Sequence, residues 1–122
     1  MTQAIFSSSP YSPDKLIAGD YPITTQKVVI DTGVLARGSV LGKITATGKY
    51  VLSAAAAGDG SEVPSMILAE SLDATSADVD AIAYTSGQFD EARLTLGAGH
   101  TIASIRDGLR DLGIYLCTSV AA

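Results

Sequence analysis

The sequence predicts an α+β fold that is mainly β: a small single domain of antiparallel strands, with one helix near the C-terminus and an extended N-terminal arm. Three observations predict it. Short β-branched or apolar runs alternate with Gly- and Pro-marked turns through most of the chain. A helical period occurs once, near the C-terminus. Residues 1–15 are rich in Ser and Pro and carry no periodic pattern. A length of 122 residues suits one domain, whose core needs neither disulfide nor metal.

The arm comes first. Pro10 and Pro13 remove backbone donors and exclude helix, so residues 1–15 are extended or flexible by themselves. Ile5, Phe6 and Tyr11 are apolar anchors in a polar background. Two readings follow: an ordinary flexible terminus, or an arm that orders on a partner by laying a strand on a sheet edge. Leu16–Gly19 then enters the domain through a turn at Asp20 and Pro22. Ile23–Asp31 is β-branched and reads as a strand. Val34–Leu41 follows, with a bend or bulge at Gly38.

The densest β signal is Val40–Ala74, which is expected to seed the core through Leu41, Ile44, Tyr50, Leu52, Met66 and Leu68. Thr47-Gly48-Lys49 is its hairpin turn and Tyr50–Leu52 the returning strand. Ser53–Glu62 is a loop of small residues or a short helical turn ending at Gly58, and it offers a surface for close packing. Pro64–Ala69 resumes a strand, and Ser71–Asp80 is a polar connection. Ala81–Thr85 is a strand ending in a Ser86-Gly87 turn. Beyond it Phe89 packs inward, and Asp90 and Glu91 sit at a turn or exposed end. Thr101–Gly113 is the helix: Ile102, Ile105, Leu109 and Leu112 form one apolar stripe, Thr101 caps the start and Gly113 sits where a C′ glycine belongs. Gly108 inside it implies close packing against a strand or strong tertiary support. Ile114–Val120 closes the domain as a strand.

Charge and composition bound the function. Eight Lys and Arg stand against thirteen Asp and Glu, and the basic residues are scattered. Phosphate neutralisation needs them clustered, which argues against direct binding to nucleic acid. No apolar run approaches the roughly 20 residues of a membrane span. The N-terminus lacks the basic and apolar regions of a signal peptide, so synthesis in the cytoplasm is expected. Cys117 is the single cysteine and reads as a small buried hydrophobe.

Candidate chemistry is sparse, and no catalytic, cofactor-binding or metal-binding residue is assigned. His100 is the single histidine and reads as a polar turn residue; a hydrolase would pair it with a serine. Asp59 and Glu70 have the first-to-twelfth spacing of a calcium loop, but Ser61, Val63 and Pro64 cannot form its interior, which leaves a turn. Gly97-Ala98-Gly99 precedes a helix without completing either glycine-rich phosphate motif. A lipoyl-like carrier or another β-rich binding module is the alternative reading, with Lys43 or Lys49 at an exposed hairpin. The expectation is a protein that is not an enzyme and uses no cofactor.

Four blocks stand in the order found in one family. They are Leu16–Gly33 (LIAGDYPITTQKVVIDTG), Arg37–Ala74, Tyr84–Gly97 (YTSGQFDEARLTLG) and Leu109–Leu116 (LRDLGIYL). Within the second, Arg37-Gly38, Leu41-Gly42-Lys43, Gly48-Lys49-Tyr50, Asp59-Gly60-Ser61 and Pro64 are the most specific. In these blocks the chain resembles the phage head decoration proteins, the trimeric capsid-stabilising family typified by the lambda decoration protein. The resemblance implies a mixed β fold and a homotrimer at the threefold and quasi-threefold positions of an expanded head. There it would cement the major capsid protein against the pressure of packaged DNA, on the outer surface of the virion. It also implies that residues 1–15 are the capsid-binding arm, with Ile5, Phe6 and Tyr11 as anchors, and that residues 16–122 are the decoration-protein-like domain.

Overall fold

Strand β7 (Val79–Asp90) is the spine of the protein. The computed structural model describes residues 16–18 and 21–117. Before β7 come β1 (Thr24–Ile30), β2 (Val34–Leu35), β3 (Val40–Lys43), β4 (Tyr50–Leu52), β5 (Pro64–Leu68) and β6 (Leu72–Asp73). After it come a short 3-10 turn (Glu91–Arg93), helix α1 (Ile102–Asp111) and β8 (Ile114–Cys117). The class is the expected one: among the described residues it is mainly β with a single α-helix, towards the C-terminus.

The main sheet runs β1-β4-β3-β5-β7-β8, and β1 also pairs with β7. That second pairing closes β1, β4, β3, β5 and β7 into a ring, which removes most of the open edges a small sheet would otherwise carry. The closing contact is narrow: Ile30 faces Tyr50, and Asp31 N donates to Tyr50 O at 2.9 Å. The lumen of the ring holds Val28, Ile30, Leu41, Tyr50, Met66, Leu68, Ala81 and Ala83. Outside it, a second core lies between the sheet and α1, built from Val40, Ile67, Tyr84, Phe89, Ile105, Leu109, Ile114 and Leu116. Adjacent residues of β3 and β5 therefore face apolar surroundings on opposite sides, which explains why Val40-Leu41 and Met66-Ile67-Leu68 are consecutive apolar residues. Of the expected core residues, Leu41, Tyr50, Met66 and Leu68 are buried and Leu52 packs against them. Ile44 is only half-buried.

Several elements differ from the sequence expectation. Ser86-Gly87 is not a turn. Gly87 takes φ +145°, yet β7 continues, because β8 pairs with it at Gly87–Asp90 and Ile17 bridges to Phe89 on its other edge. Asp90 is 3% exposed rather than at an exposed end, and Glu91 is half-buried. The sheet is also not purely antiparallel: β7 and β8 pair in parallel. The helix-containing connection β7–α1–β8 supplies the crossover that a parallel pair requires, and β1 meets β4 in parallel as well. Within the Ser71–Asp80 connection, Leu72–Asp73 pairs with Val34–Leu35 as a small second sheet.

Helix α1 has the predicted cap. Thr101 Oγ1 accepts from Ser104 N at 3.1 Å, and Ser104 Oγ accepts from Thr101 N at 2.9 Å, a reciprocal box. Gly113 has φ +90° at the far end. Ile105 and Leu109 are buried and Ile102 packs beside them, but Leu112 is 51% exposed because the helix ends before it can turn inward. Gly108 has open space around it, so it does not mark a close approach to a strand. Residues 118–120 of the expected last strand lie outside the described residues.

Candidate interaction surface

The segment leading from the arm is fixed to β7. Leu16 is 1% exposed, its carbonyl accepts from Asp90 N at 2.8 Å, and Ala18 N donates to Gln88 O at 2.9 Å. The sequence shows Leu16–Gly19 as an approach through a turn; the Leu16-Ile17 apolar pair was the available sign that it docks. Cys117 lies on the opposite edge of β7, also in register with Asp90. The described chain thus begins and ends at one place. A polar clasp seals it: Asp90 Oδ1 accepts from Ala92 N, and Arg106 reaches both Glu91 Oε1 (2.6 Å) and Leu116 O (2.7 Å). The Leu116 contact also occupies a carbonyl of edge strand β8. The expected anchors Ile5, Phe6 and Tyr11 lie outside the described residues.

The Arg37-Gly38 block has a structural use. Arg37 Nη1 donates to Ala69 O and to Tyr84 Oη, both at 2.8 Å, and its guanidinium lies over the Tyr84 ring. Gly38 takes φ +96°, and a Cβ there would stand 2.6 Å from Arg93 O. That close approach brings residues 93–95 against β3, where Val40 N donates to Thr95 O.

The small-residue loop packs against the chain itself. Ala55 N donates to Ala98 O at 2.9 Å, and a Cβ on Gly97 would stand 1.9 Å from Ser53 O. Gly97-Ala98-Gly99 is therefore a docked connection. Beneath it, Ser53 is fully buried and its hydroxyl donates to Ser61 O at 2.6 Å, with His100 Nε2 at 3.1 Å. The single hydroxyl hydrogen goes to a carbonyl that can only accept, so the imidazole must donate to Ser53 Oγ. A histidine in that role cannot take the serine proton, and the pair is a loop clasp rather than a nucleophile with its base. No sequence signal pointed to it.

The remaining candidates resolve similarly. Asp59 Oδ1 accepts from both the N–H and the hydroxyl of Ser61, which holds its carboxyl below the usual 3.8 and makes the turn that the interior residues required. Lys49 pairs with Asp78, whose hydrogen bond and charge raise the ammonium above its usual 10.5. Lys43 is exposed at the base of the hairpin, not at its tip. Among the described residues no group of His, Cys, Asp and Glu could hold a metal ion, and no helix is long and apolar enough to cross a membrane. Exposed apolar side chains are Tyr21, Ile23, Val34, Val63, Ile82 and Leu112.

The described residues thus form a ringed β-module in which Leu16 and Cys117 meet at Asp90 and the polar side chains singled out by the sequence hold loops. The family model described as bacteriophage lambda head decoration protein D matches residues 6–115. The chain belongs to that family, a structural rather than enzymatic one of the phage head. Comparison with curated proteins finds none that matches it.

Proposed function

We propose that this protein is a homotrimeric cement protein. It binds the outer surface of the expanded phage head at threefold and quasi-threefold positions and stabilises the major capsid protein lattice against the pressure of packaged DNA. Residues 1–15 are the capsid-binding arm, with Ile5, Phe6 and Tyr11 as its anchors, and residues 16–122 are the body that carries it. The family match over residues 6–115 carries this reading, because it extends into the arm and includes Phe6 and Tyr11. The fixing of Leu16 to β7 supports it physically: an arm that starts from a buried anchor transmits load to a rigid ring.

Three arms on one trimer give large effective-concentration gains without any strong single contact. The ordering cost lowers the affinity of each arm alone, so binding is selective for a surface that presents three sites together. Expansion of the head creates that surface. Deleting Met1–Pro13 is expected to leave the trimer mass unchanged and to abolish co-sedimentation with expanded shells, while the full chain binds expanded shells and not unexpanded ones. Binding retained by the deletion refutes the role of the arm; equal binding of the full chain to both shells refutes the selectivity.

A further inference from the structure

Strand β1 pairs with β7 along its whole length, but its other side meets a neighbour only at its last residue, where Ile30 faces Tyr50. Which groups this leaves open follows from β7. Ile82 N donates to Glu70 Oε2 and Ile82 O accepts from Ala69 N, both at 2.9 Å, so both point away from β1. Lys27, which faces Ile82, therefore turns its own N–H and C=O outward, and by the two-residue period of a strand so does Thr25. No other described strand pairs with this edge, and Thr24–Lys27 are exposed at every position. Lys27, the charge that would guard it, is turned to Asp80 at 3.2 Å on the neighbouring strand.

The chain joins β7 at the far end of the same edge. Leu16 O accepts from Asp90 N, Ala18 N donates to Gln88 O, and Ile17 bridges to Phe89 in the same antiparallel sense as β1. Residues 1–15 lie outside the described residues, and they begin from this point beside Asp90. Six positions of β7 separate Asp90 from Tyr84, which faces Thr25, and eight separate it from Ile82, which faces Lys27. At the usual strand rise these are about 20 and 27 Å. Ser12-Pro13-Asp14-Lys15 has the composition of a type I turn, with Pro at its second position. Four-residue hairpin loops are most often built around that turn. A chain reversed there brings Tyr11 level with Leu16, Ile5 level with Thr25 and Gln3 level with Lys27. Met1–Tyr11 spans about 36 Å when extended, so the reach is sufficient.

The two segments also suit each other chemically. Met1–Pro13 carries no charged side chain, and neither does Tyr21–Gln26 along the flank. Contact between them takes no ionised group of either segment out of water. Ile5 and Phe6 arrive where Ile23 and Ile82, each 41% exposed, leave apolar surface. Pro10 and Pro13 are passed before the open groups are reached, so no donor is missing opposite Thr25 or Lys27. The tether selects this occupant over a free one: a segment joined at Leu16 meets the edge at an effective concentration in the millimolar range.

We propose that Thr2–Phe6 pairs with the Thr25–Lys27 edge of its own chain, folding the arm back on the body of the free protein. One consequence rests on the capsid-binding reading above: the shell must displace the arm from its own body before the arm can grip. Amide hydrogen exchange of the free protein tests the pairing. Deleting Met1–Pro13 is expected to speed exchange at Thr25 and Lys27 at least about tenfold and to leave the amides of β3 and β5 unchanged. Unchanged exchange at Thr25 and Lys27 overturns the proposal. A nitroxide on Gln3→Cys, in a Cys117→Ser background, decides in the full chain if the deletion does not fold. It is expected to broaden the Thr25–Lys27 amide signals of its own chain. In a mixture of nitroxide-bearing chains with isotope-enriched chains that lack the nitroxide, the same signals are expected to weaken less. Equal broadening in the mixture gives the edge to a neighbour's arm and overturns the proposal, as does no broadening at all. Neither readout involves a capsid, so failure of the arm's capsid role leaves the pairing standing, and failure of the pairing leaves that role standing.

Discussion

At the scale of single residues, this chain is held together where side chains are missing. A Cβ on Gly42 would stand 1.9 Å from Ser61 O, and its φ is not the reason for the glycine: the space is. Gly42→Ala is expected to lift the 53–62 loop off the ring and to cost on the order of 3 kcal/mol, read as a lower urea midpoint. Two carboxylates set an acid limit. Asp59 and Asp73 each accept from the hydroxyl and the N–H of the residue two positions on, Ser61 and Thr75, and both are held below 3.8. A depressed folded-state pKa means that the unfolded chain binds the proton more readily. The stabilisation is therefore complete above about pH 4 and lost as pH falls through the folded value. Replacing both with Ala is expected to flatten the loss of Tm below pH 4; an unchanged acid limb would contradict that role. The sequence showed the turn at Asp59 through its unsuitable calcium-loop interior. It could not show the Ser53–His100 clasp, whose partners lie 47 residues apart.

At the scale of elements, legibility followed locality. The α1 cap, the Gly48 turn and the strands at Thr24–Ile30, Tyr50–Leu52 and Pro64–Leu68 were readable because their causes are contained in a few adjacent residues. Ser86-Gly87 misled because its local preference for a turn is overridden by pairing on both edges of β7. Leu112 misled because the apolar period runs one residue beyond the helix. Gly108 is the instructive case. Its helical position and open surroundings mean that Ala there adds helix propensity without a clash. Gly108→Ala is expected to stabilise the protein by about 1 kcal/mol, seen as a Tm several degrees higher. A neutral or lowered Tm would mean that the glycine serves a contact outside the chain.

At the scale of the whole molecule, the sequence carried the class and the family but not the closure of the ring, because closure depends on pairing between distant strands. The proposed capsid-binding anchors were legible only as apolar residues in a polar arm. The Leu16 clip that fixes the arm to the body appears only when β7 is in place. That clip also has a consequence in time. Thr24 meets Ser86 across a separation of 62 residues, so apart from the single Ile30–Tyr50 contact with β4, β1 and the segment ahead of it have little to join until β7 has formed. Long-range pairing of this kind belongs to folding on the millisecond-to-second scale. The local β3–β4 hairpin is therefore expected to form early and Leu16 to seat last. Leu16→Ala is then expected to speed unfolding while leaving the stopped-flow refolding rate nearly unchanged, as for any contact absent from the transition state. A slowed refolding rate would place Leu16 in the nucleus instead. By this expected order of events, the base of the proposed arm is fixed at Leu16 only after β7 is in place, and an unfinished chain would have no firm grip to offer.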